Sequence, residues 1–150
     1  MSIKYKQFFL NLFNEKARIA QNFGMTLSYD ETNRGIITLP YNSLLDHAGD
    51  GIHGGVIATV LDNAGWFTCA LNHNGFVVTT EISFHLLRPV EKTKIWARGE
   101  IIRMGKRQVI AEMRCWDEEN NLIAHAIGTY IYFESKITKK LRENVRIKEE

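Results

Sequence analysis

No window of the 150-residue chain approaches the roughly 18 uninterrupted apolar residues that a membrane span needs. We therefore expect no membrane partner. Cysteine is scarce: Cys69 and Cys115 lie far apart, in no Cys-x-x-Cys or Cys/His pairing. That predicts reduced core thiols in a cytoplasmic protein. His47, His53, His73, His85 and His125 show no metal-like spacing, so we expect neither metal nor cofactor. A G-x-S-x-G elbow, a P-loop and a dinucleotide fingerprint are all absent. Net charge is small as well. Nineteen Lys and Arg against seventeen Asp and Glu leave +2, which gives a nucleic-acid partner no support. The N-terminal "FFLNLF" is broken by Asn11 and followed by Glu15, a poor secretory signal. Internal repeats and low-complexity segments are missing too. With 45% hydrophobic and 24% charged residues, what remains is one globular domain able to bury a single core.

Only two prolines punctuate the chain, and Pro40 and Pro89 each mark the end of a strand-like run. Residues 3–22 place Tyr5, Phe8, Phe9, Leu12, Phe13 and Ala20 near helical spacing, with Gly24 as the stop. A hairpin follows, built from Met25, Leu27 and Tyr29 and from "GIITLPY". From Gly54 to the stop signal "NHNG", apolar residues recur every three or four positions over most of the circumference, which predicts a buried central helix. The period then switches to two. Phe76, Val78, Thr80, Ile82, Phe84 and Leu86 would face inward, and strand-like runs follow at 93–104, 107–117 and 121–133. One apolar helix with a long antiparallel sheet has one good solution, an α+β fold in which the sheet wraps the helix. Its open edge invites a second copy. We expect one domain over 1–134, with an N-terminal helix in 1–23, and a charged tail over 135–150 that is a frayed helix or disordered.

Chemistry gathers in "GIHGGVIATVLDNAG". The first N–H groups of a helix lack internal partners and can stabilise charge developing on a carbonyl oxygen. Glycine there lets a substrate approach the backbone, so Gly54 and Gly55 form a candidate oxyanion hole, although a flexible turn would use the same residues. Asp62 lies seven residues beyond Gly55 on about the same face, in a strip kept low by Ala58, Gly65 and Cys69. A carboxylate inside an apolar helix violates local preference, which marks a candidate catalytic group; the plainer reading is a solvated edge. Thr80 is a hydroxyl among inward apolar residues, and His53 sits where it can shape the glycine turn.

The segments "HGGVIATVLDNAG", "TTEISFHLLRPV" and "GKRQVIAEMRCWDEENNLIAHAIGTY" resemble the hotdog-fold acyl-CoA thioesterases of the phenylacetate-degradation type, in the 4-hydroxybenzoyl-CoA thioesterase superfamily. The likeness covers roughly residues 24–133. It implies a homodimer with a continuous sheet, sometimes paired into a tetramer, and hydrolysis of medium-chain or aryl acyl-CoA to CoA and free acid. Asp62 would be general base or nucleophile, Gly54 with Gly55 the backbone donor, and Thr80 a hydroxyl holding the water. The resemblance also implies a shared site, with glycines from one protomer and the carboxylate from the other. His47 stands where many members have Asn, beside Asp46 and Asp50. Arg88, Arg103, Lys106 and Arg107 are candidates for the phosphates of the coenzyme, which is part of the substrate. Leu44, Leu45, Trp66 and Phe67 are candidates for the acyl pocket by position, and His53 for substrate contact. The alternatives are a non-catalytic acyl-CoA-binding hotdog module and a dehydratase, which the placement of Asp62 fits poorly.

Overall fold

In the computed structural model the chain is described from Ile3 to Arg146. The N-terminal segment is not one helix. α1 (Ile3–Asn11) opens into a π-helical turn (Leu12–Lys16), Ala17 is extended, and α2 (Arg18–Phe23) ends at Gly24 with a left-handed φ of 81°. The wide turn has a use. It carries Phe13 into the core and lets the Asn14 side chain pair with both backbone groups of Leu27, accepting at 2.7 Å and donating at 3.0 Å. Asn14 thereby covers the outer edge of β1 (Thr26–Tyr29). Asn14→Ala should cost about 1–2 kcal/mol for two lost hydrogen bonds, read as a lower melting temperature.

β1 and β2 (Gly35–Leu39) form the expected hairpin. Asp30 closes its turn, accepting from the N–H groups of Thr32 and Arg34 and from the Arg34 guanidinium. A polar connection then leads into α3 (Gly54–His73), the central helix, which ends on Asn74 in the left-handed region. Its length is about 30 Å at 1.5 Å per residue. Val60, Leu61, Ala64, Phe67, Thr68 and Leu71 are buried along it. Thr68 pins the helix to β2, accepting from the Gly35 N–H at 2.8 Å while donating to the Ala64 carbonyl at 2.7 Å.

Four long strands follow: β3 (Val77–Leu86), β4 (Ile95–Met104), β5 (Gln108–Asp117) and β6 (Leu122–Tyr132). The sheet is wholly antiparallel, in the order β1-β2-β4-β5-β6-β3. The chain thus crosses the sheet through α3 and lays β3 on the far edge, beside β6. α3 packs against β2 to β6 and fills the concave face. Cys69 and Cys115 are buried free thiols, each pushed up to about 12 by burial first.

Of the two alternatives for the tail, Lys136–Arg146 takes the helical one: it forms α4, docked over the end of α3. Thr138 is buried on its inner face, and the Arg142 guanidinium donates to the Asn74 carbonyl at 3.2 Å while lying 5.4 Å from the Tyr132 ring. Residues 147–150 of the expected tail lie outside the described residues. Among the described residues, no helix is long and apolar enough to cross a membrane.

Candidate active site

His53 caps α3. Its carbonyl accepts from Val56 and Ile57, and its Nδ1 accepts from the Gly55 N–H at 2.9 Å, which places the ring proton on Nε2. This corrects the pairing of the two glycines: the Gly55 amide is already engaged. The Gly54 N–H has no acceptor among the described residues and opens on a cleft of about 320 Å³. Ile52, Ile57, Leu86 and Val90 line that cleft, with His47 and Arg88 beside them. A Cβ on Gly54 would come within 2.7 Å of Leu86 Cδ1, so the glycine keeps the donor approachable.

His47 reaches the same cleft in a fixed tautomer. Its Nδ1 accepts from the Gly49 N–H at 2.9 Å, leaving Nε2–H as a donor. Asp46 is held by the Tyr41 hydroxyl at 2.8 Å, whereas Asp50 is exposed on a left-handed turn.

Asp62 stands eight residues beyond Gly54, hence about 12 Å along the helix axis. Its half-buried carboxylate accepts two hydrogen bonds, both at Oδ1: from Thr79 Oγ1 at 2.9 Å and from the Tyr130 hydroxyl at 3.2 Å. Oδ2 takes none among the described residues. Burial raises the pKa of Asp62 and the two hydroxyls pull it part of the way back, leaving it raised. Burial, with the Asp62 charge second, drives the Tyr130 phenol far up, so it serves only as a donor here.

Thr79 and Tyr130 escaped the sequence reading, and Thr80 was placed on the wrong side. The pairing of β3 with β6 shifts between Thr79 and Glu81, and the extra residue is Thr80. A bulge of this kind reverses the alternation of faces. Val77 and Thr79 point inward before it and Ile82 after it, while Thr80 is exposed and donates to the Thr129 carbonyl at 3.1 Å. The low strip on α3 is also not open along its length, because the Tyr130 hydroxyl fills the space over Gly65.

The other candidates divide. Trp66 lies one turn beyond Asp62, its ring held by Phe67 at 4.6 Å, Phe76 at 5.6 Å and Phe9 at 6.3 Å. Phe67 is core, and Leu44 projects into solvent. Arg88 shares the Gly54 cleft. Arg103, Lys106 and Arg107 surround the β4–β5 turn at the opposite end of α3, where the Lys106 carbonyl meets His73 Nε2 at 3.1 Å. One chain therefore does not bring its basic candidates together. No three His, Cys, Asp or Glu gather to hold a metal among the described residues.

A sequence model described as the thioesterase superfamily matches residues 50–124, half of the chain, from just before the glycines into β6. The chain belongs to the thioesterase superfamily. Its sheet wrapped around α3 is the hotdog fold, and as a member it is a thioester hydrolase. A provisionally named esterase of Saccharolobus solfataricus is 29% identical over 112 residues, 73% of this chain and 79% of that one. Among solved structures, the PaaI protein of the E. coli phenylacetic acid degradation operon superposes with a TM-score of 0.79 at 17% identity, covering 89% of this chain and 98% of that one. A Bacillus halodurans protein solved with CoA gives a TM-score of 0.72 at 21% identity, covering 87% and 88%. The thioesterase match includes Gly54, Asp62 and Arg88 and stops before Tyr130.

Proposed function

We propose that the protein hydrolyses acyl-CoA thioesters with medium-chain or aryl acyl groups, releasing CoA and the free acid, in a site shared by two copies of the chain. One observation carries the shared site: the free Gly54 N–H and Asp62 stand eight residues apart, about 12 Å of axial rise, on one rigid helix. A donor must lie within about 3 Å of the developing oxyanion, and the base within about 3 Å of the attacking water. That separation favours a donor and a base drawn from two chains, which an antiparallel second copy of α3 would bring to one carbonyl.

Support for where the second copy sits comes from the two edges of the sheet. Asn14 blocks the outer edge of β1, while β3 keeps a ten-residue edge flanked by exposed Val78, Leu86 and Leu87. An open apolar edge of that length favours pairing with another strand. Dimers formed this way could pair again into tetramers.

In the reaction, Asp62 Oδ2 takes a proton from water as the oxygen bonds to the thioester carbon, or attacks that carbon itself to form a mixed anhydride that water then hydrolyses to the free acid. The Gly54 N–H of the other copy holds the oxyanion, and the His47 Nε2–H beside it orients the carbonyl. Collapse expels the CoA thiolate, which takes up a proton that came from the water. Trp66 walls the acyl group, His53 keeps the glycine turn in shape, and Arg88, Arg103, Lys106 and Arg107 meet the coenzyme phosphates from the two copies. No cofactor enters these steps. Purified protein should release free thiol from a panel of medium-chain and aryl acyl-CoA substrates. Failure on every member of the panel would end this reading.

A further inference from the structure

We propose that Thr79 and Tyr130 are positioning residues that clamp Oδ1 of Asp62 and so assign the chemistry to Oδ2. The inference rests on the reading of Asp62 as the reacting carboxylate, but it concerns two residues which that reading does not use. Both hydroxyls converge on the same oxygen, Thr79 from the edge strand at 2.9 Å and Tyr130 from β6 at 3.2 Å. The two residues are themselves directly opposed across the β3–β6 ladder. Thr79 is the last residue before the bulge, so the bulge ends the inward run just after the hydroxyl that Asp62 needs.

The Tyr130 ring is fully buried, and the fold makes room for it from two sides. A Cβ on Gly65 of α3 would overlap the Tyr130 hydroxyl, and one on Gly128 of β6 would come within 2.9 Å of it. Larger residues at either place would push the phenol off the carboxylate. The same hydroxyl also lies 3.3 Å from the Asp62 backbone carbonyl, so the ring fixes the helix turn as well as the side chain. Asp62 without these contacts could rotate about χ2 and present either oxygen. With them, the oxygen that carries two hydrogen bonds is the poorer base and the bare one is left for water.

Other groups facing Asp62 do not replace the clamp. The titratable neighbours acting on it are Tyr130 of β6 and Cys69 of α3, both held neutral by burial. No Lys, Arg or His pairs with it among the described residues. A hydrogen bond donated to a carboxylate favours its charged form. Removing Tyr130 Oη or Thr79 Oγ1 therefore raises the Asp62 pKa further, and the acidic limb of the rate profile moves to higher pH.

The test compares Tyr130→Phe, which keeps the ring in its slot, with Thr79→Val and Thr79→Ser. Two readouts serve: the kcat/KM profile against pH, and NMR titration of the Asp62 carboxyl carbon. We expect kcat to fall by at least about tenfold in Tyr130→Phe and Thr79→Val, as for a lost hydrogen bond to a charged group, with KM within about twofold. The acidic limb and the carboxyl titration should both move to higher pH, and Thr79→Ser should restore both. The clamp is overturned if the Asp62 carboxyl titrates at the wild-type pH in both variants, even with a lower melting temperature, because that is the signature of packing alone. The titration decides this without turnover. A wild-type protein inactive on every thioester would sink the hydrolase reading instead.

Discussion

Asp62→Asn should abolish thioester hydrolysis while making the folded chain more stable. The loss follows from removing the base or nucleophile, a change usually worth two to four orders of magnitude, about 10²–10⁴, in rate. The gain follows from the surroundings of the carboxylate. Burial raises its pKa, and the hydrogen bonds from Thr79 and Tyr130 recover only part of the shift. For an acid, a folded pKa above the unfolded value means that folding favours the protonated form. Above the ordinary carboxylate range the charge of Asp62 therefore opposes folding, and the penalty fades as pH falls through the raised pKa. The amide keeps an acceptor for both hydroxyls and brings no charge. A gain on the order of 1 kcal/mol is expected, about 2–4 °C in melting temperature for a chain of this size. The difference in melting temperature between this variant and wild type should shrink toward acid pH. An active Asp62→Asn, or one that melts lower at neutral pH, would remove Asp62 from the centre of the site.

Much of the fold was legible because it is written in local periods. α3 carries its apolar positions every three or four residues, and both of its ends are marked, by the glycines and by "NHNG". The long strands show alternation, and their turns are rich in Gly, Asp and Asn. The failures share a different cause. Thr79 and Thr80 are the same residue type, so nothing in the sequence says which of them faces α3; the bulge that decides is a property of the β3–β6 pairing. Tyr130 meets Asp62 across 68 positions of chain. Gly54 and Gly55 are likewise equivalent until the rotamer and tautomer of His53 engage one amide and free the other. α4 looks like a solvated run of charge because its anchor is a guanidinium, and Arg142 finds the Asn74 carbonyl and the Tyr132 face only after β6 has delivered them. Edges follow the same logic. That β1 is covered and β3 open depends on Asn14 reaching Leu27, a contact that needs the π-helical turn.

Two inactive variants, mixed, should recover activity. Gly54→Val places a branched side chain over the oxyanion donor. The nearest atom its Cβ meets is the mobile tip of Leu86 at 2.7 Å, so the fold should accept it. Loss of one such donor costs about two to three orders of magnitude, 10²–10³, in turnover. Asp62→Asn loses the base. Alone, each variant carries its defect into both sites of its homodimer. In a mixed dimer with shared sites, one site collects both substitutions and the other keeps both Gly54 and Asp62. Random mixing makes about half of all dimers mixed, each with one intact site of two, so roughly a quarter of wild-type activity should return. Such recovery cannot come from residual activity of the parents, which lies far below it. If native mass spectrometry shows mixed dimers and no activity returns, donor and carboxylate act within one chain or Gly54 is not the donor. Their separation by eight residues, about 12 Å of axial rise, along a single helix disfavours the first outcome, so a silent mixture would point at Gly54.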